Sequence, residues 1–129
     1  GRLRRPLGIA VGEKGAVYVC DTENDRVVAF DHFGGFKMTL GEGSLSEPAG
    51  ACVGPGATLF VADTGHNRIL AFDLKTGDVV GRTGGPEPGK DPGTFRSPRA
   101  VGTGPGDVLY VLDTGNSRVQ KFRILVVRR

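Results

Sequence analysis

The sequence predicts an all-β fold, and three observations support this prediction. Glycine accounts for 22 of the 129 residues and tryptophan is absent, a composition typical of turn-rich β proteins. Short apolar runs alternate with turn-forming segments throughout the chain. One segment also recurs three times, which indicates an array of similar structural units. No run approaches the roughly 18 apolar residues of a membrane-spanning helix, so we expect no membrane partner.

The recurring segment is VYVCDTENDRVVAF at 17–30, LFVADTGHNRILAF at 59–72 and LYVLDTGNSRVQKF at 109–122. The three copies align without a gap. A short stretch of small residues precedes each copy: PLGIAV at 6–11, PAGACV at 48–53 and PRAVGT at 98–103. The second spacing is the longer one because it contains the loop GGPEPGKDPG at 84–93. Repeats of about 40–50 residues are typical of β-propellers, whereas leucine-rich repeats need about 20–29.

Each repeat is predicted to contain four antiparallel strands. The first is short, at 8–11, 50–53 and 100–103. The second, at 17–20, 59–62 and 109–112, is apolar without alternation, which indicates that both of its faces are buried. The third strand runs from an arginine to a phenylalanine, and a fourth, outer strand is expected at 36–40 and 78–82. Four-stranded units of this length are typical of propeller blades.

The pattern P-x-G-[IV]-A-V followed by V-x-D-T-x-N-x-R-[VI]-x-x-F resembles the NHL repeat. The resemblance covers residues 6 to about 122 in three copies and implies a propeller, since the family builds mostly six-bladed rings. We therefore expect one partial NHL propeller domain at 1–129, with blades at about 6–47, 48–97 and 98–129. This sequence departs from the pattern at Asp25, at Asn116 and at the pair Arg99–Ala100.

The recurring Asp-Thr…Arg hairpin is predicted to be a structural turn. The aspartate ends the second strand and accepts turn N–H groups, and the arginine pairs back onto it. Asn24 and Asn67 are expected to take the left-handed turn position. A catalytic site is expected once and not three times. The residues assigned to this structural role are Asp21, Arg26, Asp63, Asn67, Arg68, Asp113 and Arg118.

The sequence predicts no catalytic residues. The chain has two histidines, His32 and His66, in separate predicted loops. Some NHL-containing enzymes, such as the amidating lyase, hold a metal with several histidines at the axis, but the first strands here carry small apolar residues. We expect no metal ligands, no cofactor and no enzymatic activity. Cys20 and Cys52 lie in apolar runs and are interpreted as small hydrophobes.

The leading functional hypothesis is a protein-interaction scaffold that uses the face formed by the linkers and the hairpin loops. The alternative is single-stranded RNA binding, and the third possibility is a metal-dependent lyase or lactonase-like enzyme. The net charge of +3 permits RNA without requiring it. The candidate binding residues on this face are Arg4, Arg5, His66, Lys90, Arg96 and Arg99.

Three repeats are half of a six-bladed ring, so we expect both end blades to need a cover. The cover is either the remaining blades of the same protein or a second copy that closes the ring as a homodimer. The chain lacks an initiator methionine, and we therefore expect it to be a segment of a longer protein. Localisation stays open, with intracellular (cytoplasmic) favoured.

Overall fold

The computed structural model describes residues 2–125, which form three antiparallel sheets. Blade 1 consists of β1 (Gly8–Val11), β2 (Val17–Asp21), β3 (Arg26–Phe30) and β4 (Phe36–Leu40). Blade 2 consists of β5 (Gly50–Gly54), β6 (Thr58–Asp63), β7 (Arg68–Asp73) and β8 (Val79–Gly84). Blade 3 consists of β9 (Ala100–Gly104), β10 (Val108–Asp113) and β11 (Arg118–Arg123). In every blade the strands lie side by side in chain order.

The second strand of blade 2 is buried on both faces, as its unbroken apolar run predicts, whereas the corresponding β10 of blade 3 is buried on one face only, because Tyr110 and Leu112 are 40% and 45% exposed. In β6, side chains alternate between the two faces of the sheet. Leu59 and Val61 pack into the core shared with blade 1, whereas Phe60 and Ala62 pack into the core shared with blade 3. Leu59, Val61 and Ala62 are fully buried. One strand therefore contributes to two cores, and its four central residues, 59–62, are all apolar.

The first strands of the blades lie next to one another, and glycine permits their close approach. A Cβ atom added at Gly8 would lie 2.6 Å from the carbonyl oxygen of Ala49. A Cβ atom at Gly50 would lie 2.5 Å from the carbonyl oxygen of Arg99. Both distances are shorter than non-bonded atoms tolerate, so each joint between blades requires glycine, which has no side chain, at this position.

The predicted all-β propeller architecture is confirmed, with two differences in detail. The fourth strand of the second repeat runs from Val79 to Gly84 and not over 78–82, and its pairing with β7 has a register shift between Ala71 and Phe72. Within residues 2–125 the third sheet has three strands and not four. The helical segments in the described part of the chain are three-residue 3₁₀ turns, and none has the length or the hydropathy to cross a membrane.

Candidate functional site

A buried aspartate lies at the end of the second strand in every blade. Asp21, Asp63 and Asp113 are each 0% exposed. Each carboxylate accepts a hydrogen bond from the Nε atom of the arginine that begins the next strand, at 2.8 Å in blade 1, 2.6 Å in blade 2 and 2.7 Å in blade 3. The register places the two residues opposite each other, so the pair closes the hairpin between the strands.

The other carboxylate oxygen of each aspartate, Oδ1, accepts a hydrogen bond from the linker that leads into the same blade. Asp63 Oδ1 accepts the backbone N–H of Ser46 at 2.8 Å, and the carbonyl of Ser46 accepts the N–H of Gly65 at 2.8 Å. Arg4 and Arg96 make the same two contacts in blades 1 and 3. The linker and the hairpin turn of each blade are therefore held side by side on one face of the structure.

The turns also reach the next blade along the chain. The hydroxyl of Thr22 donates to the carbonyl of Pro48 at 2.8 Å, and that of Thr64 donates to Pro98 at 2.6 Å. Thr114 has no corresponding acceptor among residues 2–125. The threonine of the motif thus joins one blade to the linker of the following one.

The left-handed turn position was predicted wrongly in blade 1. The residue with positive φ is the one directly before the arginine, namely Asp25 (φ 54°), Asn67 (φ 55°) and Ser117 (φ 52°). Asn24 lies one position earlier. Asp25 and Asn67 also use their side chains across the joint, because their Oδ1 atoms accept the backbone N–H of Glu47 and Ser97, each at 2.9 Å.

The position before the left-handed residue faces the buried aspartate and differs among the blades. Asn24 and Asn116 donate an amide N–H to their aspartates at 2.9 and 3.0 Å. His66 takes this place in blade 2, where its Nδ1 atom lies 2.9 Å from Asp63 Oδ2. The side chain of His66 is 39% exposed, whereas that of Asp63 is fully buried.

Hydrogen bonding sets the charge state of these carboxyls. Burial raises the pKa of Asp21, but the backbone N–H of Arg4 and the side chains of Asn24 and Arg26 outweigh it, so the pKa is lowered from its usual value. The pKa of Asp113 is lowered against burial in the same way by its own donors. Those donors are Arg96, Asn116, Arg118 and Gln120.

Gln120 is a member of the blade 3 cluster that sequence reasoning missed. Its Nε2 atom donates to the carbonyl of Thr94 at 2.8 Å and to Asp113 Oδ2 at 3.2 Å, and its Oε1 atom accepts the N–H of Gly93. The signal was a polar residue at the position that holds Val28 and Leu70 in the other repeats. Among residues 2–125, every buried side-chain nitrogen and oxygen has a partner.

We call the surface formed by linkers 2–7, 44–49 and 94–99, the turns Thr22–Asn24, Thr64–His66 and Thr114–Asn116, and loop 85–93 the loop face. The candidate binding residues Arg4, Arg5, His66, Lys90, Arg96 and Arg99 all lie on it. The structure brings two of them to the same cluster. Arg118 donates to the carbonyl of Lys90 at 2.5 Å, and Arg96 donates its N–H to Asp113 at 2.8 Å.

The charges of the loop face differ from linker to linker. Arg4 and Arg5 approach Glu23 at 3.7 and 3.8 Å. Among the described residues, no acidic side chain lies within 4.0 Å of Arg96 or Arg99. Blade 1 therefore carries partly neutralised arginines, whereas the linker into blade 3 carries free positive charge. Over residues 2–125, no three histidine, cysteine or acidic side chains come together in a metal-binding arrangement.

The NHL-repeat family profile matches residues 3–30, 45–72 and 95–122, which is more than half of the chain. Each matched segment contains one linker, one aspartate–arginine pair and the first three strands of a blade. The chain belongs to the NHL-repeat family.

Solved structures show the same fold at low sequence identity. A catalytically inactive virginiamycin B lyase from Staphylococcus aureus with quinupristin has a TM-score of 0.66 and 16% identity, over 98% of this chain and 43% of that one. Hydrazine synthase from Kuenenia stuttgartiensis gives 0.65 and 24%, over 92% and 37%. Luciferin-regenerating enzyme gives 0.63 and 20%, over 86% and 38%. This chain thus spans about two fifths of each. No curated protein matches it by sequence.

The expectation that this protein is not an enzyme is corrected by these neighbours. All three carry the name of an enzyme on the fold that this chain shares. A fold whose neighbours of known activity are enzymes gives no ground for excluding catalysis.

Proposed function

We propose that the loop face is a binding surface for a protein partner and that Arg96 and Arg99 are its principal contacts. The observation that carries the proposal is the linker of blade 3, which presents both arginines in an exposed position without an acidic partner within reach. Arginine is enriched at protein interfaces because its planar group makes several hydrogen bonds at once.

The backbone beneath these arginines is ordered before a partner arrives. The N–H of Arg96 is bound to Asp113, its carbonyl accepts the N–H of Gly115, and the N–H of Ser97 is bound to Asn67 at 2.9 Å. A fixed backbone lowers the entropy that binding must overcome. Loops on a rigid scaffold are common sites of recognition for the same reason.

The mixed charge of the face supports a protein partner over RNA. Glu23, Asp25 and Glu47 lie on the same face as the arginines, and phosphates would meet them as well. RNA binding also needs exposed aromatic rings for base stacking. The aromatic residue of the blade 3 linker, Phe95, is 0% exposed.

The test compares two charge-reversed variants with the wild-type chain in affinity capture followed by quantitative mass spectrometry. R96E/R99E changes the loop face, and K14E/K37E changes the same number of exposed charges on other surfaces. We expect proteins that are captured by wild type and K14E/K37E, after nuclease treatment, and lost with R96E/R99E. Unchanged capture by R96E/R99E would contradict the proposal. Capture that disappears with nuclease would favour RNA.

A further inference from the structure

The residue in the middle of each hairpin turn on the loop face lies directly beside the linker of its own blade. In blades 1, 2 and 3 this residue is Glu23, Gly65 and Gly115. Its backbone N–H donates to a linker carbonyl, at 3.1 Å to Arg4, 2.8 Å to Ser46 and 2.8 Å to Arg96. The middle turn residue and this linker residue are therefore neighbours in every blade, and their side chains can be compared.

In blade 1 these neighbours form an ion pair. Arg4 Nη2 lies 3.7 Å from Glu23 Oε1, and Arg5 Nη1 lies 3.8 Å from Glu23 Oε2. One carboxylate thus serves two exposed guanidinium groups. Exposed ion pairs add little to stability, so the main consequence is that the charge of these two arginines is balanced within the chain.

Blade 3 has the arginine without the carboxylate. A Cβ atom added at Gly115 would lie 2.5 Å from Cγ and 2.9 Å from Cδ of Arg96, so the stem of the arginine lies over the glycine. Among residues 2–125, no acidic side chain lies within 4.0 Å of Arg96. The φ angle of Gly115 is outside the left-handed region, so the turn itself does not call for glycine. The place that Glu23 takes in blade 1 is open in blade 3.

Arg99 adds a second cation to the same linker. The corresponding residues of blades 1 and 2 are Leu7 and Ala49. Arg99 is exposed and, in the described part of the chain, has no acidic side chain within 4.0 Å. Guanidinium groups bind carboxylates through two parallel hydrogen bonds, so this linker is suited to a segment with more than one acidic residue.

We propose that the protein partner of the loop face binds through an acidic segment, one of whose carboxylates takes the place beside Arg96 that Glu23 takes beside Arg4. A second acidic residue of the segment pairs with Arg99. This inference rests on the proposed function and names the chemistry of the partner. The ion pair of blade 1 is then the chain's own example of the contact that the partner makes in blade 3.

The two glycines at the same turn position allow a matched test in the wild-type chain. In a ¹⁵N-labelled sample at low ionic strength, where surface charges are least screened, a hexaglutamate peptide should shift the amide resonance of Gly115. It should leave that of Gly65 in place, because Gly65 lies beside Ser46 and not beside an arginine. Hexaglutamine is the control and should shift neither. Equal shifts of the two glycines, or no shift of either, would overturn the proposal.

Filling the open place from within the chain should weaken binding. Gly115→Glu supplies a carboxylate to Arg96 and should reduce the affinity for fluorescein-labelled hexaglutamate by about fivefold, the effect of one ion pair. Thr76→Glu adds the same charge in the turn between β7 and β8 and should change the affinity by less than about twofold. Equal losses in the two variants would show that only net charge matters, and would contradict the assigned place.

Opening the same place in blade 1 should create a second site. Glu23→Gly leaves Arg4 and Arg5 without their carboxylate, so a second hexaglutamate should bind per chain. Glu13→Gly makes the same substitution in the turn between β1 and β2 and should leave the number of sites unchanged. This variant also decides if Gly115→Glu does not fold, since a Cβ at Gly115 would lie 2.6 Å from the carbonyl oxygen of Arg96.

Failure of this inference can be told apart from failure of the proposed function. Loss of captured proteins with R96E/R99E, without a response of Gly115 to hexaglutamate, would keep the loop face as the binding surface but overturn its preference for carboxylates. Capture unaffected by R96E/R99E would overturn the proposed function, and a response of Gly115 would then still locate an acidic-peptide site. Tighter binding of a single-stranded oligouridylate than of hexaglutamate at Gly115 would assign the site to nucleic acid and overturn the inference.

Discussion

In blades 1 and 2, the sheet face that is turned towards the following blade is covered by that blade. The corresponding face of blade 3 is exposed within the described residues. Tyr18 and Phe60 are 6% and 8% exposed in the covered joints, whereas the corresponding Tyr110 is 40% exposed. The inner strand differs too, because glycines 8 and 50 correspond to Ala100. The second strand differs as well, because Leu112, two residues after Tyr110, stands where blade 2 has Ala62.

The comparison shows what a joint between these blades requires. A joint needs a glycine where the first strand of one blade passes the linker of the next, and the threonine that donates to the proline carbonyl. It also has a small residue, such as Ala62, near the end of the second strand. Blade 3 has the threonine, Thr114, but it has Ala100 at the position of the glycine. A blade placed on blade 3 in the same geometry would meet the Cβ of Ala100, as a Cβ at Gly50 would meet the carbonyl of Arg99.

Removing a buried aspartate should have the largest effect. Asp63→Ala leaves Arg68, the N–H of Ser46 and His66 without their shared partner, and breaking a buried ion pair typically costs about 3–5 kcal/mol. Urea unfolding would measure the loss. Asp78→Ala, in the exposed turn between β7 and β8, is the control and should change stability by less than about 0.5 kcal/mol. Equal effects would show that the aspartate has no structural role.

Acid should produce a smaller loss through the same groups. The pKa values of Asp21 and Asp113 are lowered in the folded state, so their contribution is complete above the unfolded value of about 3.9. It is lost as the pH falls through the lower, folded values. Urea midpoints measured from pH 7 to pH 3 should therefore drop below about pH 4. D21N/D113N should show a shallower drop, and an identical profile for this variant would contradict the assignment.

Much of this arrangement is predictable from sequence, because the repeat aligns the same residue types in three places. The strand order follows from the apolar runs, and the pairing of Asp63 with Arg68 follows from their places at facing strand ends. The bonds from the carboxylates to linker N–H groups were not predictable, since backbone donors leave no trace in side-chain patterns.

A methyl group at the inner strand should distinguish the covered joint from the open face. Gly50→Ala places a Cβ 2.5 Å from the carbonyl of Arg99, and overpacking of this kind typically costs about 1–3 kcal/mol. Ala100→Gly is the matched change on the exposed face and should alter stability by less than about 1 kcal/mol. Thermal unfolding of the two variants is the measurement. If Gly50→Ala matches the wild type, the joint is looser than the structure shows.

The threonine bond should give the smallest of these effects. Thr64→Val removes a hydrogen bond of 2.6 Å to the carbonyl of Pro98 and should cost about 0.5–1.5 kcal/mol. Thr114→Val makes the same substitution at the equivalent position, which has no such acceptor among residues 2–125, and should be close to neutral. The same loss in both variants would indicate a local effect of the turn and not a contact between blades.

Amide hydrogen exchange tests the role of the buried carboxylates most directly. The N–H groups of Ser46 and Arg96 lie in linkers without strand pairing and donate to Asp63 and Asp113 at 2.8 Å. They should exchange as slowly as the N–H groups of the central strands, and far more slowly than that of Gly43 in the same loop region. Exchange of Ser46 and Arg96 at the rate of Gly43 would show that the aspartates do not hold the linkers.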